Sequence, residues 1–356
     1  MGGTVIVLGA GATRGADFRG PHQNGRPLPA RHAGAPLPAL DGDFFDRLQE
    51  IGEPDHRQLV DTVTADARWV AKGSVYPTLE EMFTFVEAAQ ALEGAPTKFL
   101  INETKPSRVR SRLLAAVALQ LGSALCRPNP GKGNDAFYHC KNHLWLAKPS
   151  KHGGAGLAAA DTIISFNYDC LIDYALARVS QAWSAKQGYG TDTEEWERWT
   201  PGEGRDAPTN SLKLLKLHGS LNWLDRKDKK APIRLSHHNY SDVRRPKLIP
   251  PEWNKQTDDQ PFKRIWHQAL QAIRDARSMV VIGYSMPTTD LSAQVMFRAA
   301  RQAASGCLEM LVVVNPDDSA AQRIVRTIDD GPGGTAVIRL KHWKDFVELP
   351  TGIWRR

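Results

Sequence analysis

Apolar residues recur along this chain in two rhythms. Residues 4–8 (TVIVL) are a continuous apolar run of strand length, and Gly9-Ala10-Gly11 follows, with a helix expected beyond it. Four similar runs come later, at residues 162–166, 214–217, 278–283 and 309–315. Helical spacing over about 170–179, 262–276, 289–304 and 317–327 links them. Short buried strands alternating with helices predict an α/β fold, a doubly wound parallel sheet of the Rossmann-like kind.

The second rhythm is helical throughout and runs from Asp43 to about Leu146. Phe44, Phe45, Leu48 and Ile51 share one face, as do Met82, Phe83, Phe85, Val86 and Ala89. Thr78-Leu79-Glu80-Glu81 has the residues of a helix start, and residues 112–125 form another helix. We read residues 41–159 as a large helical insertion into a single domain spanning 1–356, with residues 1–40 and 160–356 as its α/β core. A separate helical domain is the competing reading; short connections and the return to strand at Thr162 favour insertion. Residues 19–43, rich in Pro, Gly, His and Ala, read as a loop covering the site, and residues 201–210 as a second loop.

Open α/β sheets bind ligands at the carboxyl ends of their strands, so the residues just past each run carry the candidate chemistry. After the first run stands Gly9-x-Gly11, where glycine permits a tight turn and brings backbone N–H groups near a phosphate. It is not a complete dinucleotide fingerprint, because Arg14 stands where a third glycine is required and Gly15 comes one residue late. After the second run come Asn167 and Asp169; after the third, His218-Gly219-Ser220; after the last two, Gly283 to Ser285 and Asn315. Each has a plain alternative: Gly9-x-Gly11 as a simple β-to-α turn, His218 as a structural histidine, and Ser285 or Asn315 as a helix cap. Taken with Asn167, His218 reads as an exposed strand-end imidazole suited to accepting a proton near neutral pH.

In this order the motifs resemble the sirtuin superfamily, and its bacterial sirtuin-like branch more than its protein deacylases. GAGAT with Asp17-Phe18-Arg19 is similar to the sirtuin glycine motif and the DFR segment behind it, at a shorter spacing. FNYD resembles the asparagine/aspartate motif, and KLHGSLNW the strand bearing the catalytic histidine. LIPPEWNK, IGYSMPTTD and VVVNP resemble the tail of the bacterial branch. The resemblance implies that Gly9, Ala10, Gly11, Thr13, Asp17 and Phe18 contact the nucleotide. It implies too that Asn167 and Asp169 hold the nicotinamide ribose and position water or the leaving group, with His218 as base. Gly283 and Ser285 then take phosphate and ribose, and Asn315 the adenosine ribose.

The activity so implied is NAD hydrolysis to nicotinamide and ADP-ribose, with NAD as substrate and no metal cofactor. The alternatives are an NAD-dependent deacylase and a non-catalytic module binding NAD or ADP-ribose. Many sirtuin deacylases carry a zinc module of four cysteines after the catalytic histidine. Here the cysteines are Cys126, Cys140, Cys170 and Cys307, none in a CxxC pair and none within residues 221–260, and the adjacent His237-His238 reads as a solvated loop. The resemblance also implies a latent effector of anti-phage defence, a homo-oligomer partnered by a HerA-type hexameric ATPase or an Argonaute-like protein.

Composition fits this reading. Hydrophobic residues are 41% and charged residues 24%, ordinary globular values. The longest apolar stretches fall far short of a membrane span, and Met1-Gly2-Gly3 does not open a signal peptide, so a cytoplasmic location without membrane attachment is expected. The formal charge of +7 gathers partly in basic runs at residues 226–230 and 244–247. Such runs contact nucleic-acid phosphates or serve as solvated loops; no sequence-reading motif accompanies them, so direct nucleic-acid binding has no support beyond charge.

Overall fold

Six strands assemble into one sheet: β1 (Thr4–Leu8), β2 (Thr162–Ser165), β3 (Lys213–Lys216), β4 (Ser278–Ile282), β5 (Met310–Val314) and β6 (Ala336–Leu340). Their order is β6-β5-β4-β1-β2-β3 and every pairing is parallel. This is the doubly wound Rossmann-like arrangement, with the order reversing between β1 and β4. Every residue of β1, β4 and β5 is buried, which is why these segments read as unbroken apolar runs rather than alternating ones.

A computed structural model of the chain describes residues 3–15, 18–19, 36–73, 75–92, 99–127, 136–137, 139–195, 211–224, 233–235, 246–251, 261–304, 306, 308–329 and 334–355. Asp17, Cys307, His237, His238, the basic residues 226–230 and 244–245, residues 252–255 of LIPPEWNK, the loop 201–210 and most of the loop 19–43 lie outside them.

The helices are α1 (Ala10–Arg14), α2 (Phe44–Gln49), α3 (Arg57–Ala71), α4 (Leu79–Ala91), α5 (Pro106–Leu125), α6 (Lys141–Ala147) and α7 (Leu171–Val179). The chain continues through α8 (Ala185–Gly188), α9 (Phe262–Asp275), α10 (Leu291–Gln302), α11 (Asp318–Ile328), α12 (Trp343–Glu348) and α13 (Thr351–Trp354). Helix α5 begins at Pro106, six residues before the expected Arg112; proline suits a first turn, whose N–H groups have no helical acceptor. Helix α4 starts as its sequence predicts. Thr78 Oγ1 accepts the Glu81 N–H at 3.1 Å and Glu81 Oε2 accepts the Thr78 N–H at 2.7 Å, a capping box.

Besides a small cluster of Ala124, Leu125, Cys140 and Leu171, two large apolar clusters hold the chain. One surrounds the sheet. The other lies among α2 to α5 and includes Phe44, Phe45, Leu48, Ile51, Met82, Phe83, Val86 and Leu113. Phe85 is only partly buried and stacks edge-on with Trp69 at 6.4 Å. The apolar pattern does not foresee every element. Strand β6 is an edge strand with a half-exposed pattern, and a four-stranded sheet forms from Pro246–Leu248, Gly219–Leu224, Ile233–Leu235 and Thr193–Glu195. No helix among the described residues is long and apolar enough to cross a membrane.

Candidate nucleotide site

The carboxyl ends of β1, β2, β4 and β5, together with the turn after β3, open on one cavity of about 980 Å³. It is lined by Ala10, Gly11, Thr13, Asn167, Asp169, His218, Gly283, Ser285 and Asn315, all residues singled out from the sequence. Gly9 sits behind it in the turn. Asp17 is not among the described residues, and Phe18 is described only in its backbone, pairing antiparallel with Cys140.

The glycine turn solves a packing problem. Leaving β1, the N–H of Gly9 donates to the Ile282 carbonyl at 3.0 Å and that of Gly11 to the Gly283 carbonyl at 2.8 Å. A Cβ on Gly9 would stand 2.6 Å from Gly283 O, and one on Gly11 2.8 Å from the same atom. Gly283 itself has φ +61° and faces the backbone of Gly11 and Ala12. Three glycines therefore let the ends of adjacent strands cross in contact. The sequence leads one to expect N–H groups of this turn near a phosphate; in the structure those of Gly9 and Gly11 are both engaged by backbone carbonyls at the end of β4.

At the end of β2 the side chains of Asn167, Asp169 and Thr13 form one hydrogen-bonded set. Asn167 Nδ2 donates to the Gly9 carbonyl at 2.9 Å and to Thr13 Oγ1 at 3.1 Å. The Thr13 hydroxyl donates to Asp169 Oδ2 at 2.6 Å, and Asp169 Oδ1 accepts the Leu171 N–H at 3.0 Å, holding the first turn of α7. Asn167 Oδ1 is buried with no hydrogen-bond partner among the described residues. A buried acceptor left unpaired is costly, and a ligand hydroxyl in the cavity is a chemically suitable donor. Cys170 follows, but burial pushes its thiol up to about 12, so it is no nucleophile near neutral pH.

His218 is not exposed: it is 7% accessible and walled by aromatic rings. Phe166 meets it edge-on at 5.3 Å, with Tyr168 at 6.2 Å and Trp266 at 6.4 Å. The strand-end position was legible; the cage was not, since it joins Phe166 and Tyr168 of one turn to Trp266 of a distant helix. Backbone and ring bonds fix the turn. Ile249 N–H donates to the His218 carbonyl at 2.9 Å, Trp266 Nε1 to the Leu217 carbonyl at 3.1 Å, and the Tyr168 hydroxyl to the Ile249 carbonyl at 2.7 Å.

On the far side, Asn315 Nδ2 donates to the Tyr284 carbonyl at 3.0 Å while its Oδ1 accepts the Asp317 N–H at 2.9 Å. Neither Ser285 nor Asn315 is a helix N-cap; Asp290 and Asp317 cap α10 and α11. Several further cavity residues were not candidates from the sequence. Tyr284 stacks on Phe166 with centroids 4.1 Å apart and planes 9° from parallel, and its hydroxyl donates to Asp290 Oδ2 at 2.8 Å. Gln120 of α5 donates to the Leu37 carbonyl at 2.7 Å and accepts the Ala39 N–H at 3.1 Å. Arg14, where a fingerprint would have glycine, donates to the Pro38 carbonyl at 2.6 Å and pairs with Asp43 at 2.9 Å. These bonds tie residues 37–43 to the cavity wall.

Residues 161–328 match the family model described as SIR2-like domain. The matched segment begins just before β2 and ends with α11, and so holds Asn167, Asp169, His218, Gly283, Ser285 and Asn315 but not the glycine turn. The parallel sheet flanked by helices agrees with the fold of that family, and SIR2-like domains are NAD-dependent enzymes. No curated protein matches the chain.

Proposed function

We propose that the chain is an NAD hydrolase that cleaves the nicotinamide–ribose bond to give nicotinamide and ADP-ribose. The observation that carries this reading is the Asn167 carboxamide. Its nitrogen is fixed by Gly9 and Thr13 while its oxygen is buried, with no partner among the described residues, at a cavity that His218 also lines. The cavity's volume, about 980 Å³, stands at the top of the usual range for small-molecule sites and suits a dinucleotide.

The chemistry follows from charge. Breaking the bond leaves positive charge on the anomeric carbon, as in glycoside cleavage, and nicotinamide departs neutral with the bonding electron pair. Water attacks the carbon and gives up a proton, which the His218 imidazole accepts. Asn167 Oδ1 would accept a hydroxyl of the ribose, and Asp169, held by Thr13 and the Leu171 N–H, would steady the loop and face the developing positive charge. A deacylase breaks the same bond with an acyl-lysine as the acceptor. The stretch 221–260 carries no cysteine to staple a zinc module beside a peptide groove, which favours water.

A constitutive NAD hydrolase would drain the cell that makes it. We therefore extend the proposal to a latent effector of anti-phage defence, held silent until assembly as a homo-oligomer or contact with a HerA-type ATPase or an Argonaute-like protein. The test incubates NAD with the full chain, alone and with the product of a neighbouring gene, with and without an acetyl-lysine peptide. Free ADP-ribose formed without peptide is the expected result. NAD consumed only with peptide, yielding O-acetyl-ADP-ribose, would overturn it in favour of the deacylase. NAD bound but never consumed would leave only a binding module.

A further inference from the structure

Lys216 ends β3 two residues before His218 and is wholly buried. Its ammonium donates to the backbone carbonyl of Asp169 and to Asp173 Oδ2, the latter at 3.1 Å, and Asp173 is wholly buried too. The other oxygen of Asp173 accepts the Tyr189 hydroxyl at 2.5 Å, and Tyr189 in turn accepts from Asn222 Nδ2 at 3.2 Å. A buried ammonium needs such partners, since desolvation penalises an unpaired charge heavily. A buried ion pair is nonetheless a poor source of stability, because apolar residues of similar volume often serve as well. What the pair does supply is a directional link. It reaches from the strand that presents His218 to the main chain of the turn that presents Asn167.

We propose that Lys216 is a positioning residue that fixes the Asn167–Asp169 turn relative to His218. This rests on the hydrolase reading above for its consequence in turnover, though not for its effect on the turn. The path is continuous: Lys216 holds the Asp169 carbonyl, Asp169 accepts from Thr13 at 2.6 Å, and Thr13 accepts from Asn167 at 3.1 Å. Behind Lys216, the Asp173–Tyr189–Asn222 chain joins α7, the segment after α8 and the strand following His218. Among the described residues, Lys216, Asp173, Tyr189 and Asn222 do not line the cavity, and their hydrogen bonds reach it through Asp169.

The test replaces the pair by apolar groups, Lys216→Met with Asp173→Leu, in the full-length protein. Two readouts are taken: amide hydrogen exchange at Leu171 and Leu221, and steady-state NAD cleavage beside ADP-ribose binding by calorimetry. The N–H of Leu171 bonds to Asp169 Oδ1 and that of Leu221 to the Tyr168 carbonyl, so both report on the turn. The expected result is exchange at these two amides faster by at least tenfold with β4 and β5 unchanged. Turnover should fall about a hundredfold, the range for loss of aligned proton transfer, while ADP-ribose affinity stays within threefold. Unchanged exchange at the turn, or a uniform rise across the sheet, would overturn the proposal, as would wild-type turnover in the folded double variant. If wild type leaves NAD intact even with the product of the neighbouring gene present, the hydrolase reading fails while the exchange data still decide the positioning role. Should the double variant not fold, Tyr189→Phe, which removes only the hydroxyl on Asp173, is expected to raise exchange at Leu171 severalfold; no change there overturns the proposal equally.

Discussion

The hydroxyl of Thr13 donates a 2.6 Å hydrogen bond to Oδ2 of Asp169, joining the turn after β1 to the turn after β2 across 156 positions of sequence. Because Thr13 Oγ1 also accepts from Asn167, one small side chain sets the spacing of both. The glycine turn and the asparagine turn are thus a single hydrogen-bonded unit.

Replacing His218 by Gln, which retains bulk and polarity within the aromatic cage, is expected to lower NAD turnover on the order of 10²–10⁴-fold with ADP-ribose affinity preserved. Turnover measured beside calorimetry decides it. A folded His218→Gln protein that turns over like wild type removes the imidazole from the mechanism. His218→Ala is a poorer probe, since it also opens a void beside Phe166.

Asn167→Ala is expected to abolish hydrolysis with at most a modest loss of ADP-ribose binding, because the carboxamide, fixed by Gly9 and Thr13, would act at the reacting ribose and not at the phosphates. If calorimetry shows binding gone while His218→Gln still binds, Asn167 is an anchor for the nucleotide and not a group of the reacting centre.

Gly11→Val should act on the fold first. Its Cβ would stand 2.8 Å from Gly283 O, so the strand ends must part, at a cost of about 1–3 kcal/mol for overpacking. Thermal melting without nucleotide is the measurement. An unchanged melting temperature with weakened nucleotide affinity would show that the side chain meets a ligand rather than Gly283.

His143 of α6 is buried beneath Trp343, with ring centroids 4.8 Å apart, and its Nδ1 has no partner among the described residues. Burial, and then the charge of Lys216, lowers its pKa from 6.5 to about 3. Below 6.5 the unfolded chain gains a proton that the folded chain refuses, so stability falls as pH drops from about 6.5 toward 3. The slope this adds is about 1.4 kcal/mol per pH unit within the window. Denaturant melts of wild type and His143→Phe between pH 7 and 4.5 should diverge by that slope; parallel curves would refute a neutral buried imidazole.

The sheet was legible wherever a strand is covered on both faces. Residues 162–166, 214–217, 278–283 and 309–315 mark β2, β3, β4 and β5 to within one residue at either end. Strand β6 escaped because AVIRL at a sheet edge is half-exposed and breaks the apolar run with Arg339. The strand Gly219–Leu224 escaped because it follows the histidine turn directly, leaving no gap in which a second sheet announces itself. The residues at the strand ends were legible as candidates, and they do share one cavity. Their neighbours were not. Tyr284 over Phe166, Gln120 and Arg14 on residues 37–39, and the aromatic cage of His218 all depend on contacts between distant segments. Lys216 did leave a trace: a charge between Leu215 and Leu217 in a buried strand demands a partner, and Asp173, two residues past Leu171 on an apolar helix, supplies it.

The cavity is the place where the two apolar clusters meet. Phe44, Leu79 and Val117 of the helical cluster line it together with Phe166, Ile282 and Val314 of the sheet cluster. Leu121 and Tyr168 pack against both clusters, and a molecule filling the cavity adds contact with each. Occupancy therefore adds RT ln(1 + [L]/Kd) to the stability of both at once, about 2.7 kcal/mol at a hundredfold excess over Kd. Ligand bound at this seam is linked to the folding of both clusters, so each is harder to unfold while the site is filled.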